Sequence, residues 1–187
     1  MKDKKEQLFR EDYFTCPIYW MDKPEWINKL NKASDPYIKK AKKLNDKHIK
    51  ERTKKHGDKG DHGMVHHSTS LIGDPKFIDL QNWIIATAWN LLDEQGFDLS
   101  GHQLFLTELW VQEFSHLGGG HHTLHTHWNG HISGFYFLKA SNITSRPVFE
   151  DPRPGRCMNL LPEKDKTKLT LATSQINYNV KPGKLIF

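Results

Sequence analysis

Cysteine is nearly absent: Cys16 and Cys157 are the two in the chain. With no C-x-x-C pair they exclude a disulfide framework and a cysteine zinc site, and they read as free thiols. Long apolar runs are missing too. No stretch approaches the roughly 18 consecutive apolar residues of a membrane span. The opening Met1-Lys2-Asp3-Lys4-Lys5-Glu6 lacks the apolar core of a signal peptide. The chain therefore reads as cytoplasmic, with no membrane partner. Internal repeats and low-complexity linkers are also lacking. At 187 residues this excludes several independent domains. The expected organisation is a flexible N-terminus over 1–15 and one folded unit over 16–187.

Basic charge is scarce outside one segment. The formal net charge is +5, yet residues 39–60 carry 10 basic and 3 acidic side chains, so the remainder is slightly acidic. That segment reads as a solvated helix running into a loop. A phosphate-contacting surface is the alternative, but no aromatic residue interleaves the lysines to stack on bases. Nucleic acid is therefore not the expected partner.

Periodicity divides the chain in two. Over 16–100 the signals are mainly helical, after a short strand in Pro17-Ile18-Tyr19-Trp20. Asp22 and Pro24 open a helix carrying Trp26, Ile27 and Leu30, and Ser34-Asp35-Pro36 opens a second, lysine-rich one to about residue 52. Residues 54–63 read as a loop. Over 75–95, Phe77, Leu80, Ile84, Ile85, Ala88, Leu91 and Leu92 make one buried helical stripe, started by Asp74 and Pro75 and ended by Gly96. From 101 to 187 the texture is β-type, with strands expected over 104–111, 121–128, 132–138, 147–149, 168–172, 175–180 and 184–187. Helices followed by antiparallel strands predict an α+β fold, a sandwich or barrel buttressed by N-terminal helices. The chain ends on the apolar Leu185-Ile186-Phe187 after a Pro-Gly turn. Native termini are usually polar, so a truncated last strand is expected.

Histidine is what the sequence has in excess. Of 12 histidines, His121, His122, His125, His127 and His131 fall in one 11-residue window. On a strand, residues two apart share a face, so His125 and His127 can present two imidazoles side by side as a metal platform. A helix would instead pair His121 with His125 and His127 with His131. The Gly118-Gly119-Gly120 lead-in and the missing glutamate of H-E-x-x-H argue against that.

The run Gly118-Gly119-Gly120-His121-His122-Thr123-Leu124-His125-Thr126-His127-Trp128-Asn129-Gly130-His131, the blocks Phe149-Glu150-Asp151-Pro152-Arg153-Pro154-Gly155 and Val180-Lys181-Pro182-Gly183-Lys184-Leu185-Ile186-Phe187, and upstream Met64-Val65-His66-His67 carry a resemblance. Together they resemble the prolyl-hydroxylase-like 2-oxoglutarate/Fe(II)-dependent oxygenases encoded by tailed phages of marine cyanobacteria. The resemblance implies a double-stranded β-helix, or jelly roll, here incomplete at its C-terminus. It implies Fe(II), 2-oxoglutarate and O2 as cofactors, with ascorbate as an option. It also implies oxidation of 2-oxoglutarate to succinate and CO2 coupled to hydroxylation of a peptide or small molecule, in the cytoplasm of an infected host cell if the chain is viral.

In that family a His-x-Asp/Glu pair and a distal histidine hold the iron. His125 matches the first ligand, and His127 stands where the carboxylate would be. A three-histidine site would be more positive; otherwise Asp151 or Glu150 supplies the second ligand. Tyr136 matches a hydrogen-bond donor to 2-oxoglutarate, or is an ordinary strand tyrosine. Arg153 steadies a mouth loop or makes a turn salt bridge, and Trp128 walls the pocket or fills the core. The third ligand and the 2-oxoglutarate-binding arginine are expected beyond Phe187, so weak metal binding and poor or no turnover are expected of this chain. A non-catalytic metal-binding or structural protein on the same fold, or a nucleic-acid module through 39–60, is the alternative.

Overall fold

The structure, a computed structural model, describes residues 10–57, 60–127, 130–158 and 161–187. Its elements in chain order are β1 (Trp20–Asp22), α1 (Ile27–His56), β2 (Val65–His67), α2 (Ile78–Glu94), β3 (Gln112–Phe114), β4 (Phe135–Tyr136), β5 (Val148–Glu150), α3 (Pro154–Cys157), β6 (Gln175–Asn177) and β7 (Lys184–Ile186).

A 3-10 turn over Pro24–Trp26 feeds α1, whose buried Leu30, Ala33, Ile38 and Ala41 form one stripe. Gly57, at φ 68°, ends the helix by donating its N–H to the Thr53 carbonyl at 3.0 Å. This corrects the two-helix reading, because one helix runs through Pro36. Proline inside a helix removes a donor and costs about 3 kcal/mol. The stripe continues on both sides of it, however, and each buried leucine or isoleucine contributes roughly 1.5–3 kcal/mol. Asp22 is not a helix cap either; it sits in β1 and pairs with Lys181 at 2.8 Å.

The second helix forms as its pattern predicts. The Asp74 carboxylate accepts from Lys76 N–H at 2.9 Å, Pro75–Phe77 make a 3-10 turn, and Gly96 at φ 88° follows the end of α2. Leu30 and Ala33 of α1 meet Leu71, Phe77 and Leu80, with Trp26, Tyr37, Ile84, Leu109, Val111, Tyr136 and Leu138 packed around them. The buried Gln81 amide bonds Gly73 N–H at 3.0 Å and the Leu71 carbonyl at 3.3 Å, holding that link against α2.

The described strands form three antiparallel sheets, β1-β7-β4, β2-β3 and β5-β6, so the fold is α+β. The two stacked four-stranded sheets of a complete jelly roll are not found among the described residues. β7 is the central strand of its sheet, with Ile186 opposite both Trp20 and Phe135 and 0% exposed. Gly134 must be glycine here, because a Cβ would lie 2.7 Å from the Ile186 carbonyl oxygen and 3.0 Å from the Phe187 ring. Gly134→Ala is expected to lower unfolding stability by about 1–3 kcal/mol in a urea melt. Gly155→Ala, with nothing within 4 Å of its Cβ, should leave it unchanged or slightly raised.

Several expected strands are corrected. The 104–111 segment joins the β2 side through separate bonds, Ser68 N–H to Val111 O at 2.9 Å and Leu71 N–H to Leu109 O at 2.8 Å, and regular pairing starts at Gln112. The first strand begins at Trp20 rather than Pro17, and its three residues are exposed. Residues 168–172 make turns, because Asp165 and Thr170 accept backbone N–H groups locally. Most important, 121–127 is irregular and exposed rather than a strand. Gly118 and Gly119, at φ 86° and 78°, turn the chain away from β3 just before it.

Candidate metal centre

The exit from β3 positions the histidines. Ser115 donates its N–H to the Met64 carbonyl at 3.0 Å, prolonging the β2-β3 pairing to its rim. A Cβ on Gly120 would lie 2.9 Å from that carbonyl oxygen and 3.0 Å from the Phe114 ring. Glycine therefore lets the chain press back against the hairpin and lay the following residues beside it. His122 packs edge-on to Phe114 at 5.6 Å, and its Nε2 lies 2.9 Å from Gln112 Oε1.

His125 follows with its ring 6.0 Å from His122 and 5.2 Å from His127, the latter pair inclined at 63°. Metal–nitrogen bonds of about 2.1 Å put the ring centres of two adjacent ligands roughly 4.5–5.2 Å apart, and the His125–His127 spacing lies at the upper edge of that range. The tautomers agree with that. His125 Nδ1 lies 2.7 Å from the Thr123 carbonyl, and His127 Nδ1 lies 3.2 Å from Glu108 Oε2. In a neutral imidazole each acceptor favours the tautomer with the proton on Nδ1, which leaves Nε2 as the lone-pair donor, the arrangement that orients metal-binding histidines. Trp110 stacks against His127 at 6.0 Å and lies 5.0 Å from His67. His67 Nδ1 is 2.7 Å from the Ser68 carbonyl, so its Nε2 is also turned free. Burial, then the neighbouring His125, His67 and His121, push the His122 imidazole below its ordinary pKa and favour its neutral form.

Among the described residues no group of three or more His, Cys, Asp or Glu is arranged to hold a metal ion, so His125 and His127 stand as a pair without a third such neighbour. Asp151 is gripped by Arg153, whose Nη2 is 2.5 Å from Oδ2, which is the turn salt bridge. Glu150 accepts from Gln175 at 3.4 Å. Tyr136 donates its hydroxyl to the Lys23 carbonyl at 2.7 Å and lies 6.1 Å from Trp26. Burial first, then the Glu25 charge, push its phenol above the ordinary value. His131 lies against Phe97 at 6.4 Å. Trp128 lies outside the described residues, as does the side chain of Cys157.

Sequence reasoning missed Glu108, Trp110 and His67. Alternation along β2 was the available signal. In a strand, His66 and His67 must face opposite sides, and His66 is fully buried while His67 is exposed. His66 anchors the wall behind the histidines. Its Nε2 lies 2.9 Å from Asp61 Oδ2, its Nδ1 lies 3.1 Å from Asn45 Nδ2, and Ser115 donates to Asp61 Oδ1 at 2.8 Å. An imidazole protonated at Nε2 satisfies both of its contacts at once. Burial alone would raise the Asp61 carboxyl, but the hydrogen bonds from His66 and Ser115 outweigh it and hold the group below the ordinary carboxylate range.

Residues 108–187 match the family model described as "Putative 2OG-Fe(II) oxygenase". The match covers less than half of the chain and begins at Glu108, so it takes in Trp110, Gln112, every histidine of the cluster and Tyr136. This segment is therefore similar to a domain class that works with Fe(II), 2-oxoglutarate and O2. None of the curated proteins matches the chain. Among the described residues no helix is long and apolar enough to cross a membrane.

Proposed function

We propose that the protein is an Fe(II)- and 2-oxoglutarate-dependent dioxygenase of the prolyl-hydroxylase-like, phage-encoded type, a hydroxylase of a peptide or small molecule built on a jelly-roll face. The observation that carries this reading is the His125–His127 pair, inside the matched segment, with both Nδ1 atoms engaged and both Nε2 atoms available. Bound Fe(II) would supply the centre at which O2 oxidises 2-oxoglutarate to succinate and CO2 and substrate C–H hydroxylation is coupled to it.

The chain's own groups prepare that centre. The Thr123 carbonyl and Glu108 fix the two tautomers and ring orientations. With His127 in the place of a carboxylate, the ligand pair brings no negative charge of its own, and the Glu108 carboxylate 3.2 Å away restores one from behind the ring. Trp110 restricts rotation of His127 and covers one side from water. Tyr136 is assigned to 2-oxoglutarate, which its hydroxyl would reach by exchanging the Lys23 carbonyl for a cosubstrate oxygen.

Anaerobic addition of Fe(II) and then 2-oxoglutarate to the purified chain is expected to raise a weak visible metal-to-ligand charge-transfer band. Admitting O2 should then release succinate. Absence of both band and succinate at saturating iron and cosubstrate, in this chain and in a version extended past Phe187 in the same reading frame, would refute the assignment.

A further inference from the structure

The continuity of α1 through Pro36 has a consequence for its lysines. At 3.6 residues per turn, Lys39, Lys43, Lys47, Lys50 and Lys54, spaced by four, four, three and four, fall on one stripe about 22 Å long. All five are exposed. The buried Leu30, Ala33, Ile38 and Ala41, extended by the half-buried Asn45 and Ile49, occupy the opposite side of the same helix. The stripe therefore points straight into solvent. Its one ion pair among the described contacts is Lys47 with Glu51 at 4.0 Å, a fully surface pair of little strength. Lys42, off the stripe, is the lysine that α1 commits to the sheet, through Glu113.

We infer that this stripe is a docking rail for the phosphodiester backbone of a nucleic acid strand. Single positive charges repeat about every 6 Å along a rigid rod, and a polymer with evenly repeating negative charges is the complementary partner. A membrane surface fits less well, because a helix lying on a bilayer needs a free apolar face. The apolar face of α1 is turned into the core. The lack of interleaved aromatics does not count against this partner, since contacts to phosphates position a strand without reading or stacking its bases. The inference stands independently of the oxygenase reading.

The test is fluorescence anisotropy of a labelled single-stranded DNA long enough to lie along the whole stripe, with the full chain. Five phosphate contacts predict that affinity falls about 100-fold between about 50 and 200 mM salt. The variant K39Q/K43Q/K47Q/K50Q/K54Q should lose most of the affinity and the salt dependence. Glutamine keeps the helix propensity of lysine, so α1 persists. The five-fold Lys→Arg variant should bind as the parent does. The control K76Q/K139Q/K164Q/K166Q/K168Q removes the same charge from exposed positions off the stripe and should bind nearly normally. Equal weakening in the control, or salt-insensitive binding by the parent, would overturn the inference. So would tighter, stripe-dependent binding to vesicles of anionic lipid than to DNA.

Discussion

His125→Ala and His127→Ala should each abolish the charge-transfer band with Fe(II) and 2-oxoglutarate and weaken Fe(II) binding more than 100-fold, while far-UV circular dichroism stays that of the parent. The rings are exposed and 5.2 Å apart, so removing either leaves packing intact and takes away half of the platform. Glu108→Gln should cost about 10–100-fold in metal affinity, the usual effect of losing the acceptor behind a ligating imidazole. His121→Ala is the control, since its described contact is a 3.4 Å approach to the Gly119 carbonyl within the same turn. Isothermal titration with Fe(II) under anaerobic conditions measures all four. If His121→Ala weakens binding as much as His125→Ala does, the cluster attracts cations loosely and the pair has no special geometry.

The second large effect concerns stability. His66 is fully buried and joins α1 through Asn45 and the 61–64 turn through Asp61, whose other carboxylate oxygen accepts from Ser115, the residue after β3. Removing it by His66→Ala opens a cavity and leaves the Asp61 carboxylate and the Asn45 amide without their shared partner, at a cost of about 3 kcal/mol. For a chain of this size that lowers the melting temperature by about 6–12 °C. Ser115→Ala, which deletes one hydrogen bond, should cost about 1 kcal/mol. The pH dependence has a definite sign. The Asp61 carboxyl is depressed in the folded state, so its contribution is fully present above the unfolded carboxyl value of about 3.9 and is lost as pH falls through the lower folded value. Asp61→Asn should therefore flatten the acid limb of the stability curve as well as lower its plateau. An acid limb identical to the parent's would show that Asp61 does not supply it.

What was legible in the sequence followed local rules. Asp74-Pro75 and Gly96 bracket α2 because a side-chain acceptor, a fixed φ and a left-handed residue act within one turn of the chain. The strands at 175–177 and 184–186 fall inside the turn-bounded runs expected at 175–180 and 184–187, and that at 148–150 lies one residue on from the expected 147–149. The failures occurred where a distant surface outweighed a local preference. Pro36 reads as a break, yet burial of Leu30 and Ala33 on one side and Ile38 and Ala41 on the other carries the helix through it. The 121–127 run alternates as a strand does, but a strand needs a neighbour to pair with. The left-handed Gly118 and Gly119 lead these residues away from the ladder that β3 makes with β2.

By itself, the sequence determined that this is an α+β chain with an isolated lysine segment and a histidine pair two residues apart, because composition and spacing are properties of the chain alone. Only the tertiary structure decided that Glu108 stands behind His127, that His66 is a buried anchor while His67 faces Trp110, that Tyr136 spends its proton on Lys23, and that five lysines share the outer face of one helix. Each of these depends on which surfaces leave water together, and that is set by contacts between residues far apart in the chain.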